Sequence, residues 1–129
     1  IQRNVDTAVN IIQPIFPSIL EKGSGRVFFI GAKPGLDIKL GKQSISYALS
    51  KSLLFQLSTL MNEISKGKNI VSTVIVPSII DTPDNRQAMP QADFSKWVKL
   101  SSIVNAIVYH SKSENEELHT DIIKAYHLS

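Results

Sequence analysis

Tyr47 and Lys51 have the residue types and the spacing to move a proton. They stand four apart in Tyr47-Ala48-Leu49-Ser50-Lys51, one turn along a single helix face. An ammonium beside a phenol favours the phenolate, which suits a tyrosine to acid/base work near neutral pH. The helix that carries them is predicted from about Ser44 to Ser65, with Leu49, Leu53, Leu57, Leu60 and Ile64 as its apolar stripe and Gly67 closing it. The Tyr-Lys face points away from that stripe, so the pair is not core filling. Spacing alone fits an ordinary exposed pair equally well, because such pairs are frequent on helices.

The elements around this helix are legible from periodicity. Val5, Ala8, Val9, Ile12, Ile15, Phe16 and Ile19 predict an amphipathic helix from Gln2 to Leu20, which Pro14 and Pro17 should kink or end early. Lys22-Gly23-Ser24-Gly25 is turn chemistry. Arg26 to Ala32 reads as a buried strand, Lys33 to Gln43 as a loop, and Asn69 to Val76 as a second buried strand stopped by Pro77. Ser78 to Trp97 is polar and proline-marked, a long loop with one short helix. Lys99 to His110 is a helix with Leu100, Ile103, Val104, Ile107 and Val108 on one face, and Asp121 to His127 alternates as a last strand. The order α-β-α-β-loop-α-β implies parallel strands joined by right-handed crossovers, hence a three-layer α/β fold. Three strands make a thin sheet, and the chain reads as half of a doubly wound domain.

Composition narrows the chemistry. The chain has 129 residues, 43% apolar and 19% charged, with a net charge of +3. Its basic residues are dispersed, which argues against a nucleic-acid partner. No cysteine is present, so disulfide scaffolds, thiol catalysis and iron–sulfur ligation are excluded, and a reducing, cytoplasmic setting is the expectation. No apolar run approaches the ~18–20 residues that a membrane-spanning helix needs. The first residue is Ile1 rather than Met, as expected of a processed product or of a piece of something longer.

In an open parallel sheet, ligands bind beyond the carboxyl ends of the strands. Those ends are Gly31-Ala32-Lys33 and Pro77-Ser78-Ile79, so a site should be built from the two loops and the helix starts that follow. Other candidates are weaker. His110, His119 and His127 have no partner at metal-ligand spacing, and no metal is expected. Ser24 lies between glycines before a strand, whereas a nucleophile elbow follows one. The cluster Glu114, Glu116 and Glu117 reads as a solvated loop.

A strand, a glycine-containing loop, Tyr-x-x-x-Lys at a helix start, another strand and then Pro77-x-x-Ile80-x-Thr82 together resemble the short-chain dehydrogenase/reductase family. The resemblance runs from Asn4 to the last strand. Ile30-Gly31-Ala32-Lys33, the run Asp81-Thr82-Pro83-Asp84-Asn85-Arg86-Gln87-Ala88-Met89-Pro90, and then Ala92-Asp93-Phe94-Ser95 with Trp97 are similar to its dihydropteridine reductase branch.

The resemblance implies a Rossmann-like doubly wound fold and hydride transfer from NADH or NADPH to a carbonyl or a quinonoid, pterin-like small molecule. Tyr47 would donate the proton. Lys51 would bind the nicotinamide ribose and keep Tyr47 acidic, and Asn4 would hold a water linking Lys51 to solvent. Pro77, Ile80 and Thr82 would meet the nicotinamide end of the cofactor. Ala32, Phe94 and Trp97 would border the substrate, although an aromatic pair also serves as a packing anchor. The family usually has a serine where Ala32 stands; its reductase branch lacks one too, and Ser44 is a remote substitute. Loss of that serine is the best support for an alternative, a non-catalytic nucleotide-binding or interaction module. Retention of Asn4, Tyr47 and Lys51 counts against it. The helices 2–20 and 44–65 carry more apolar surface than a thin sheet covers, and in the family such a pair packs against a second subunit, giving a homodimer or homotetramer. Residues 1–129 are then the carboxy-terminal, catalytic half of a larger domain whose cofactor fingerprint lies upstream.

Overall fold

A computed structural model describes residues 2–32 and 45–126, and, within the first helix, the side chains from Thr7 onward. Helix α1 spans Gln2–Lys22 and strand β1 Ser24–Ile30. They are followed by α2, Ile45–Ile64, and β2, Asn69–Pro77. A small excursion contains β3, Ile80–Asp81, α3, Pro83–Ala88, a 3-10 turn at Phe94–Lys96 and β4, Val98–Lys99. Helix α4, Leu100–Ser111, a 3-10 turn at Ser113–Asn115 and β5, Ile122–Ala125, complete the order.

Strands β1, β2 and β5 form one parallel sheet with β2 in the centre. Val27 and Phe29 of β1 and Ile70, Val74 and Val76 of β2 pack with Phe16 of α1 and with Leu54 and Met61 of α2. Ile75, between Val74 and Val76, points the other way and packs with Ile103 of α4. This alternation of period two places α1 and α2 on one face and α4 on the other, the predicted three-layer arrangement. Among the described residues, no helix is long and apolar enough to cross a membrane.

Several elements differ from their sequence expectation. Pro14 and Pro17 lie inside α1 without ending it. Each proline frees one carbonyl a turn earlier, at Asn10 and Gln13, and all four residues are exposed, so water can satisfy those oxygens. Gly23, at φ +80, ends the helix two residues later than expected. Strand β1 runs from Ser24 to Ile30 rather than from Arg26 to Ala32, because its register begins with Ser24 opposite Asn69. The polar stretch after Pro77 holds a second, two-stranded parallel sheet, Ile80 opposite Val98 and Asp81 opposite Lys99. Pairs this short leave no periodic signal. The loop 33–43, Ser44 and His127 lie outside the described residues.

The largest correction concerns α2. Leu49, Leu53, Leu60 and Ile64 are not its buried side: they are between 44% and 56% exposed. The side against the sheet is Ala48, Ser50, Leu54, Ser58 and Met61. Small residues let the helix approach the strands. Ser58 shares a hydrogen bond with Ser72 of β2 at 2.6 Å, and the phenyl ring of Phe55 lies where a Cβ on Gly31 would approach it to 3.2 Å. Beyond Ser58, Asn62 accepts from the Ser72 amide at 2.7 Å and donates to the Ser72 carbonyl at 2.9 Å. Strand β5 first pairs at Val74, so Asn62 occupies the place of a neighbouring strand along this earlier part of β2.

Candidate active site

Tyr47 lies in the first turn of α2 and Lys51 one turn on. The Tyr47 side chain is 42% exposed, available to a ligand rather than used in the core. The Lys51 ammonium lies 5.9 Å from the centroid of the Tyr47 ring and donates to the Ile30 carbonyl at 3.5 Å, a long hydrogen bond. Ile30 is the last residue of β1, so the pair is moored at the carboxyl end of the sheet, where the topology directs a ligand. Burial holds the Lys51 pKa below its ordinary 10.5, because desolvation disfavours the charged amine.

Other expected site residues fall along the same edge. Ala32 is two residues beyond β1 and half-buried. Pro77 ends β2, buried and paired with Ala125. The side chain of Ile80 packs against the core on the α4 face, and its carbonyl accepts from the Asn85 amide group at 2.8 Å. Thr82 is the N-cap of α3, its hydroxyl oxygen accepting from Asn85 N at 3.1 Å. Its hydroxyl proton is still available to donate. Asn4 belongs to α1, with its side chain outside the described set.

Phe94 and Trp97 occupy a different place. They pack with ring centroids 4.8 Å apart and planes at 55°, inside a cleft of about 750 Å³ that Asp81, Arg86, Lys99 and Tyr126 also line. Trp97 is 6% exposed, an anchor as much as a wall. Arg86 makes two hydrogen bonds to the Asp81 carboxylate, at 2.6 and 2.8 Å, and its guanidinium lies 4.5 Å from the centroid of the Phe94 ring. The bond from Arg86 holds the Asp81 carboxyl below its usual range. Tyr47, Lys51 and Ala32 are not among the described residues that line this cleft, so the aromatic pair and the Tyr-Lys pair form separate clusters.

Three of these features were missed in the sequence. Asp81 and Arg86 sit within the motif already singled out, and their opposite charges five residues apart were a usable signal. Ser78, after β2, carries a buried hydroxyl without a hydrogen-bond partner among the described residues; nothing in the sequence marked it.

No protein-family model matches the chain. A stretch of 74 residues is 34% identical to the uncharacterized oxidoreductase YvrD of Bacillus subtilis, over 57% of this chain and 27% of that protein. Among solved structures, a short-chain type dehydrogenase/reductase from Mycobacterium ulcerans superposes with a TM-score of 0.80 at 14% identity, over 94% of this chain and 47% of the other. A 3-oxoacyl (acyl-carrier-protein) reductase from Agrobacterium tumefaciens with NADP bound gives 0.77 at 19% identity, over 95% and 51%. A gluconate 5-dehydrogenase from Burkholderia cenocepacia, in complex with NADP and tartrate, gives 0.77 at 15%, over 95% and 51%. The chain spans about half the length of these structures. It has their Rossmann-like α/β fold, a parallel sheet between helices with its carboxyl edge carrying the candidate site.

Proposed function

We propose that this chain is the catalytic half of an NAD(P)-dependent oxidoreductase of the short-chain dehydrogenase/reductase type, reducing a carbonyl or a quinonoid, pterin-like substrate. The observation that carries the reading is the Tyr47–Lys51 pair at the carboxyl end of β1, on a fold shared with an NADP-bound reductase and an NADP-bound dehydrogenase. The residues present fit the nicotinamide end of a dinucleotide. The Tyr47 phenol is exposed, the Lys51 ammonium lies at the strand end, and the Ser78 hydroxyl is buried with an unmet hydrogen bond on the same edge. Lys51 and Thr82 would hold the group, beside Pro77 and Ile80.

Bound NAD(P)H supplies the hydride. Tyr47 gives its phenolic proton to the substrate atom that gains negative charge as the hydride arrives. Lys51 keeps the resulting phenolate stable through its positive charge and orients the ribose. By the family resemblance, Asn4 would hold the water that returns a proton to this relay. Ala32 leaves the substrate oxygen without a serine donor, which favours an electron-poor, quinonoid substrate over an ordinary ketone. Phe94 and Trp97, in a cleft of their own, stand apart from this relay.

A second copy of the chain would cover the exposed leucine stripe of α2 together with Val9, Ile11 and Ile15 of α1, which are also exposed. This surface supports a homodimer or homotetramer.

The test is oxidation of NADH and NADPH by the whole protein across a panel of ketones, quinones and quinonoid dihydropterins, with cofactor binding followed separately by fluorescence. Turnover with a quinonoid substrate is expected. Cofactor binding without turnover anywhere in the panel would favour the non-catalytic module.

A further inference from the structure

The edge of the sheet opposite the Tyr-Lys pair carries a second cleft of about 510 Å³. Lys22 at the end of α1, Ser24 and Arg26 of β1, Asn69 of β2, and Lys112 and Glu116 after α4 line it. Arg26 is fixed there by four hydrogen bonds. Its Nη1 donates to the carbonyls of Gly25 at 2.9 Å and Asn69 at 3.0 Å. Its Nη2 donates to Asn69 Oδ1 at 2.9 Å and to the Glu116 carbonyl at 2.6 Å. All four acceptors are uncharged, and the ion pair found among the described residues lies elsewhere, between Arg86 and Asp81. Arg26 Nε is buried and has no hydrogen-bond partner.

The cleft therefore holds an immobilised guanidinium that lacks a counter-ion, between two lysines. Glu116 offsets one of the three cations; its carboxylate reaches the Asn69 side chain at 3.4 Å. Among the lysines, Arg26 and Glu116 of the cleft, two positive charges remain. Two positive charges, the ammonium donors of Lys22 and Lys112 and the hydroxyls of Ser24 and Ser113 match a dianion of tetrahedral oxygens. The Nη hydrogens of Arg26 are all committed to those four bonds, so its guanidinium acts as a fixed positive charge while the lysines and serines donate. Because its own backbone partners already hold it, little ordering remains to be lost on binding.

We propose that this cleft binds a phosphate group, either inorganic phosphate or the phosphomonoester of a small metabolite, with Lys22 and Lys112 as its cationic donors and Arg26 as a fixed positive charge beside them. The site stands apart from the oxidoreductase reading, since the two clusters lie at opposite ends of the strands.

The test is an NMR titration of the whole protein with sodium phosphate and, in parallel, with glycerol 3-phosphate, against sodium chloride at matched ionic strength. Saturable shifts are expected at the amides of Ser24 to Arg26, Asn69 and Lys112 to Glu116, with a Kd of about 1 mM or tighter. The double variant Lys22→Gln, Lys112→Gln, whose altered side chains are exposed, should weaken binding by about tenfold or more. Lys66→Gln with Lys68→Gln, at the neighbouring strand start, should leave it unchanged. Tighter binding of glycerol 3-phosphate assigns the site to a phosphomonoester, and tighter binding of phosphate assigns it to the free ion. Shifts that never saturate, or equal weakening by the Lys66, Lys68 variant, would overturn the proposal.

Discussion

At the scale of single residues, two positions give sharp expectations. Lys51 is half-buried, and desolvation lowers its pKa. The folded state therefore binds this proton less tightly than the unfolded chain does. The resulting penalty on stability is fully present below the lowered folded value and disappears as pH rises through it toward 10.5. A Lys51→Met protein is thus expected to melt no lower than wild type at neutral pH, with any advantage fading toward alkaline pH. A Lys51→Met protein that melts well below wild type at neutral pH would mean that the long bond to Ile30 outweighs desolvation. Gly31 is the other position. A Cβ there would lie 2.8 Å from Val74 Cγ1, inside contact distance of the core. Gly31→Ala should cost about 1–3 kcal/mol in denaturant melts, because both the strand and the helix would have to shift.

At the scale of elements, the comparison between sequence and structure is most instructive in α2. Its hydrophobic period was legible, and so were its span and the separation of the Tyr-Lys pair from the leucine stripe; that pair lies on the sheet side, with Lys51 half-buried beside Ile30. The direction of the leucine stripe was not legible. Periodicity shows that a helix has an apolar side but not what covers it, and here the sheet side is made of Ala48, Ser50, Ser58 and Met61 with Leu54. Small buried serines look polar in a sequence, and only a contact such as the bond between Ser58 and Ser72 of β2 reveals that side as core. Strands β1 and β2 were readable because dense apolar runs bounded by glycine or proline have few other folds available. Strands β3 and β4 were not, since two-residue ladders are held by tertiary contacts such as the 2.8 Å bond from Val98 N to the Ile79 carbonyl. Two predictions belong here. Asn62→Ala leaves both backbone groups of Ser72 without their side-chain partner, and should destabilise the fold by about 1–3 kcal/mol. Replacing Leu49, Leu53 and Leu60 by Gln should leave the circular dichroism spectrum unchanged while converting an oligomer to a monomer in sedimentation. If the triple variant instead unfolds, the stripe is part of the core after all.

At the scale of the whole molecule, the three-stranded sheet is an incomplete Rossmann-like layer, and the chain spans about half of the structures it resembles. Strand β1 pairs on one side with β2, and further strands of a wider sheet would continue from its other edge. On the proposed function, this chain would keep the acid/base pair and supply only part of the cofactor site. Residues 1–129 in isolation should accordingly bind NADPH far more weakly than the whole protein does, as measured by quenching of cofactor fluorescence. Equal affinity would show that the cofactor site is complete within this chain. The central claim, that Tyr47 delivers the proton in hydride transfer, is tested most directly by the turnover of a Tyr47→Phe variant of the whole protein. The account predicts that NAD(P)H binding persists while kcat falls by about 100-fold or more; wild-type turnover in that variant would contradict it.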